Sequence, residues 1–154
     1  MTRLAVFLAT AAYVGYAPVA PGTFGSAAGL VVYLLVWFTK SRLLEAGLIA
    51  AIFAIGIWSA THAERYFGGV DPGPVVIDEV LGMLVTLAFI PVGVSGALAG
   101  FVIFRIFDVL KPWPANRLEN LHSGAGIIAD DAMAGVYANF CLRLLIWLAP
   151  AWIH

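Results

Sequence analysis

The chain is short of charge. Only 11% of its 154 residues are Asp, Glu, Lys or Arg, and 62% are hydrophobic. A water-facing domain carries roughly 25% charged residues. There is too little charge here to coat a soluble surface, so the composition points to an integral membrane protein. The formal net charge of −1 leaves no basic patch for nucleic acid. A single cysteine, Cys141, excludes an internal disulfide framework. It sits in an apolar run and reads as a small hydrophobe rather than a nucleophile. No internal repeat is visible.

What is present is a series of apolar segments cut by Pro, Gly and polar turns. The first covers residues 4–15 and is shorter than the ~20 residues needed to span a bilayer. With Met1-Thr2-Arg3 before it and Tyr16-Ala17 after it, this segment has the outline of a signal peptide. A first helix retained in the mature protein is more economical, because later segments already supply membrane targeting. Helices are expected over 23–38, 43–67, 75–90, 96–110 and 127–148, with a short interfacial helix within 113–123. The expected fold is all-α: a polytopic membrane helical bundle of about five to six hydrophobic helices, forming a single domain over 1–154. Trp37, Trp113, Trp147 and Trp152 fall near segment ends, as an interfacial aromatic belt would place them. Small-xxx-small pairs at Gly25/Gly29 and Gly96/Gly100 read as packing contacts.

The few charges are not scattered. Helices joined by short loops alternate direction across a membrane. Asp78, Glu79, Asp108, Asp130 and Asp131 therefore fall at one face, together with Arg105, Lys111 and the loop Pro21-Gly-Thr-Phe-Gly-Ser26. Only Lys40, Arg42 and the 91–95 turn fall opposite. Arg105, Asp108 and Lys111 are spaced i, i+3, i+6, which predicts one shared helix face, before Pro112 and Pro114 end the helix. An acid at a helix N-terminus is ordinary capping, and that covers Asp130 and Asp78 singly. It does not cover two paired acids plus Asp108 at the wrong end of its helix. Ionisable groups within membrane helices are costly and usually functional.

Clustered carboxylates without Cys or His partners suit a hard cation such as Mg²⁺, which takes oxygen ligands and is commonly shared with a substrate phosphate. Arg105 and Lys111 suit that phosphate, one as a fork and one as a point charge. The 21–26 loop opens a helix, where backbone N–H groups can hold an anion; capping by Thr23 is the plainer alternative. Together these residues read as metal-dependent chemistry on a lipid phosphate.

Three blocks then resemble one family: Ala20-Pro-Gly-Thr-Phe-Gly-Ser26, Val76-Ile-Asp-Glu-Val-Leu-Gly-Met83, and Phe101–Pro114 followed by His122-Ser-Gly-Ala-Gly-Ile-Ile-Ala-Asp-Asp131 and Ala134-Gly135. Their order and spacing are similar to the phosphatidylglycerophosphatase A family and span nearly the whole chain. Ala27 and Ile128 are mild apolar departures. The resemblance implies a small helical enzyme of the bacterial inner membrane, with its active site facing the cytoplasm. It implies Mg²⁺-dependent removal of the terminal phosphate of phosphatidylglycerophosphate, giving phosphatidylglycerol in phospholipid biosynthesis. The expected partners are the phospholipid substrate and the bilayer.

On this reading Asp78, Glu79, Asp108 and Asp131 are candidate metal ligands, and Asp130 joins them as a candidate catalytic acid. Asp108 either completes the metal site or orients the attacking water. Arg105 and Lys111 hold the phosphate. Thr23 and Ser26 either contact it or shape the loop, and His122 either protonates the leaving group or is a solvated side chain. Asp71, Glu64, Arg65 and His62 read as solvated loop charges, and Arg117 and Glu119 as the polar face of the interfacial helix. No Cys-based phosphatase loop is present, nor the His/Arg/Ser set of the vanadium-haloperoxidase-like lipid phosphatases. The alternative is a small ion-coupled transporter, which would hold its acids at mid-depth instead of near one face.

Overall fold

A computed structural model describes residues 2–118, 120–121 and 123–149. Seven α-helices account for most of them: α1 (Thr2–Ala9), α2 (Pro21–Trp37), α3 (Arg42–Phe67), α4 (Ile77–Leu87), α5 (Val94–Leu110), α6 (Ala115–Leu118) and α7 (Gly124–Leu148). There is no strand among the described residues, in agreement with the all-α expectation.

Among the described residues, only α3 and α7, of 26 and 25 residues, are long and apolar enough to cross a membrane. The helices are bounded by local chemistry. Pro21 opens α2, where its fixed φ and missing N–H cost nothing. Ser41 caps α3, its Oγ accepting from the Leu44 N–H at 3.2 Å. Gly68, at φ 77, ends α3 in the left-handed conformation.

Several boundaries differ from the sequence expectation. The first segment does not continue as a helix to residue 15. α1 stops at Ala9, and Ala11, Ala12 and Tyr13 then take φ of 46, 55 and 71. The Thr10 hydroxyl holds this left-handed turn by accepting from the Tyr13 N–H at 3.1 Å. Eight residues reach about 12 Å, too short to cross a bilayer; Ala5, Val6 and Ala9 are buried instead. α7 begins at Gly124 rather than 127, which puts Asp130 and Asp131 in its second turn. The interfacial segment contains only the four-residue α6. Of the belt tryptophans, Trp37, Trp113 and Trp147 are exposed, while Trp152 lies outside the described residues.

The fourth helix differs most. It has 11 residues where 16 were expected, about 16 Å of helix, and nearly all are buried. It is a core helix, flanked chiefly by α7 and α2. Glycines let its neighbours approach. A Cβ on Gly25 or Gly29 of α2 would fall 2.7 Å from Val76 Cβ or 2.8 Å from Met83 Cβ. A Cβ on Gly135 of α7 would fall 2.5 Å from the Gly82 carbonyl oxygen.

A buried helix end must satisfy its carbonyls, and α4 does so with side chains from its neighbours. Asn139 Nδ2 donates to the carbonyls of Val85, Thr86 and Ala88 at 3.1, 3.0 and 3.1 Å. Arg143 Nη2 donates to Ala88 O at 3.2 Å, and the Tyr33 hydroxyl donates to Ile90 O at 2.8 Å. The Phe89 N–H donates to Glu45 Oε1 at 2.9 Å. This end is therefore not the bare turn with Lys40 and Arg42 that the sequence suggested. Replacing Asn139 by Leu takes from the Thr86 carbonyl its side-chain donor, at about 1–3 kcal/mol, while Val85 O keeps the Ala88 N–H and Ala88 O keeps Arg143. The melting temperature in detergent should fall by roughly 5–10 °C.

Candidate active site

α4 and α7 cross where Gly82 meets Gly135. Asp78 lies one turn before Gly82, and Asp131 one turn before Gly135. Since residues four apart share a helix face, the close crossing brings the two acids together just above it. Glu79 joins them from the same turn of α4. One carboxylate oxygen from each of Asp78, Glu79 and Asp131 lies within 4.8 Å of the others.

Three oxygens in this group, Asp78 Oδ1, Glu79 Oε2 and Asp131 Oδ2, are buried without a hydrogen-bond partner. Buried carboxylates left unpaired are costly. The donor set is all oxygen and anionic, the kind that fits a hard divalent cation.

The other two acids are each matched to a cation. Asp108 Oδ2 is 2.6 Å from Arg105 Nη1, within the last turns of α5. The same nitrogen is 3.9 Å from Glu79 Oε1 and donates to Ser26 Oγ at 3.4 Å. Asp130 Oδ2 is 2.5 Å from Lys111 Nζ, and Asp130 Oδ1 accepts from the Asp131 N–H at 3.0 Å. Asp108 also faces Glu79 and Asp131.

One expectation is corrected here. Lys111 does not continue the Arg105–Asp108 face. It ends α5 with φ 42, in the left-handed region, and its side chain reaches α7 instead. The i, i+3, i+6 reading assumed a helix one residue too long.

The loop residues are placed differently from one another. Ser26 is fully buried, and its hydroxyl donates to Gly22 O at 2.9 Å while receiving Arg105. Thr23 lies half-buried in the first turn of α2 and does not cap it; the N-cap is Ala20, with no side-chain bond. His122 lies outside the described residues. Glu64, Asp71 and Asp130 border a cavity of about 240 Å³ on the α7 side, together with Asn120 and Ser123.

Sequence reasoning missed Gly22. A Cβ there would fall 2.2 Å from Glu79 Oε1 and 3.2 Å from Arg105 Nη1. The contact is with the tip of a flexible side chain, so Gly22→Ala should leave the fold intact and displace the carboxylate. We expect turnover to fall by up to about a hundredfold, the scale of a site group misplaced by about 1 Å, with the melting temperature changed by less than about 2 °C.

The profile of the phosphatidylglycerophosphatase A family matches residues 7–146. The chain belongs to this family. Family membership makes it an enzyme of the phosphatase class rather than a transporter. Phosphatidylglycerophosphatase A of Escherichia coli is 39% identical over 124 residues, covering 79% of this chain and 72% of that protein. The Haemophilus influenzae protein of the same name is 36% identical over 121 residues, covering 77% and 74%. A putative phosphatidylinositol-3-phosphatase of Bacteroides thetaiotaomicron is 34% identical over 152 residues, covering 94% and 95%. No solved structure matches. The blocks of this sequence that carry the resemblance lie at the site: α2's first turns, α4's acids, the end of α5 and the start of α7.

Proposed function

We propose that the protein hydrolyses the terminal phosphomonoester of phosphatidylglycerophosphate, giving phosphatidylglycerol and phosphate, with Mg²⁺ held by Asp78, Glu79 and Asp131. The observation that carries this is the trio of unpartnered buried carboxylate oxygens with Arg105 beside Glu79. A bound divalent ion would offset the charge of the phosphate oxygens and the attacking water.

The protein's own groups do the rest. Arg105 has one nitrogen committed to Asp108, Ser26 and Glu79, and its side chain is 24% exposed. Its remaining N–H groups can take two phosphate oxygens as a fork. Lys111, 28% exposed, supplies a second cation from the Asp130 side. Asp108 orients the attacking water and receives its proton, while also fixing Arg105. Thr23 is left to shape the loop. The reaction adds water across the P–O bond; the glycerol oxygen departs and takes up a proton.

On this proposal the protein is a multi-pass protein of the bacterial inner membrane, with the site toward the cytoplasm, where the lipid phosphate is made. Two helices of spanning length support the membrane placement. Arg65, Arg105, Lys111 and Arg117 lie toward the site end and Lys40, Arg42 and Arg143 toward the other, a bias of one cation in the direction of the positive-inside rule.

Phosphate release from phosphatidylglycerophosphate in detergent micelles, with Mg²⁺ and with EDTA, tests the proposal. Release in Mg²⁺ that EDTA abolishes and added Mg²⁺ restores is the expected result. The Bacteroides relative is named for another lipid phosphomonoester, so phosphatidylinositol 3-phosphate belongs in the same assay; slower release from it is expected. No release from either lipid by folded protein with any divalent ion would overturn the assignment.

A further inference from the structure

The first turns of α2 pack against α4 through Gly22 and Gly25, yet their most polar side chain does not face an open site. Ser26 has no exposed surface. Its hydroxyl proton goes to the Gly22 carbonyl at 2.9 Å, the usual bond of a helical serine to the turn before it. That leaves a fixed oxygen lone pair, and Arg105 Nη1 of α5 meets it at 3.4 Å. Three oxygens from three helices thus surround one guanidinium nitrogen: Asp108 Oδ2 at 2.6 Å, Ser26 Oγ at 3.4 Å and Glu79 Oε1 at 3.9 Å.

A guanidinium is planar, so fixing one nitrogen from several sides fixes where the other two point. Asp108 alone cannot do this. It sits on the same helix, and a single ion pair leaves rotation about the contact free. Ser26 supplies a neutral anchor from a different helix, which does not compete with a phosphate for charge.

We propose that Ser26 is a positioning residue: it orients Arg105 so that the guanidinium's free edge meets the phosphate of the substrate. The inference rests on the lipid phosphatase reading. It separates Ser26 from the phosphate itself and gives the buried end of the Pro21–Ser26 block a task of its own.

The test is a double-mutant cycle in detergent micelles, with Ser26→Ala, Arg105→Ala and the double variant assayed at saturating Mg²⁺. Ser26→Ala should lower kcat/KM about tenfold in the wild-type background, the scale of one lost hydrogen bond to a charged group. It should have no further effect when Arg105 is already Ala, because coupled residues are non-additive. The Mg²⁺ concentration for half-maximal activity and the melting temperature should stay unchanged. Ser26→Cys, which keeps a weak donor and acceptor in the same space, should recover part of the loss and serves if the Ala variant is poorly folded.

An equal loss in both backgrounds would show that Ser26 acts through packing, and would overturn the proposal. So would an unchanged Ser26→Ala enzyme. An inactive wild type would instead remove the phosphatase reading on which the inference stands.

Discussion

Asp131→Asn should reduce phosphate release by about a thousandfold or more while the protein stays folded. Asp131 Oδ2 is buried without a partner and lies in the trio with Asp78 and Glu79. An amide keeps the shape but removes the charge, and a neutral oxygen is a poor ligand for a hard cation. Loss of a metal that stabilises transferring phosphate removes several kcal/mol of transition-state stabilisation, on the order of 4 kcal/mol for this factor. Thermal unfolding in detergent gives an independent readout. Mg²⁺ that binds only the folded state raises the wild-type melting temperature, and Asp131→Asn should erase that rise. In EDTA the variant should melt at or above the wild type, since a costly unpaired carboxylate has been neutralised. A variant that retains both turnover and the Mg²⁺-dependent rise would remove Asp131 from the metal site.

Gly135→Ala should do the reverse, damaging the fold first. Its Cβ would lie 2.5 Å from the Gly82 backbone oxygen and 3.0 Å from Val85 Cβ. Neither is a flexible side-chain tip, so the helices must separate. Overpacking of this kind costs about 3 kcal/mol at the upper end of its usual range, a fall in melting temperature on the order of 10 °C. Because Asp78 and Asp131 sit one turn above this crossing, separation also opens the carboxylate trio. Activity should fall at temperatures where the protein is still folded, and higher Mg²⁺ should recover part of it. A Gly135→Ala protein with unchanged melting temperature would mean that α4 and α7 do not cross at these glycines.

The contrast with Gly22→Ala is instructive. There the added methyl meets the end of a mobile glutamate, so the expected damage is chemical and the fold is spared. The same substitution at two glycines thus separates a residue that makes room for a functional group from one that makes room for a helix.

The sequence by itself determined that the molecule is all-helical and of the phosphatase class, and which acids are candidates for its site. Low charge and long apolar runs point to an arrangement that hides much of the surface from water, and two helices of spanning length agree with it. Against that background two adjacent acid pairs and Asp108 stand out, because each must be compensated. Helix order alone was enough to bring them to one end. Local signals also set the bounds of α2 and α3: a proline at one start, Ser41 at the other, and Gly68 at an end.

Tertiary structure decided which acids stand together and which are paired with a cation. Five carboxylates in sequence look alike, but the Gly82–Gly135 crossing brings Asp78, Glu79 and Asp131 together with one unpartnered oxygen each, while Arg105 and Lys111 take Asp108 and Asp130. That division depends on distances between α4, α5 and α7, which periodicity within one helix does not encode. The same holds for α4. Its apolar run read as one long helix because hydrophobicity cannot tell a buried core helix from a spanning one. Its true end is set from outside, by the Asn139 and Arg143 side chains of α7 bonding its last carbonyls. Ser26 read either as a phosphate contact or as a shaper of its loop, because the 21–26 segment opens a helix where an anion can be held. Burial against α4 turned it inward, toward Arg105.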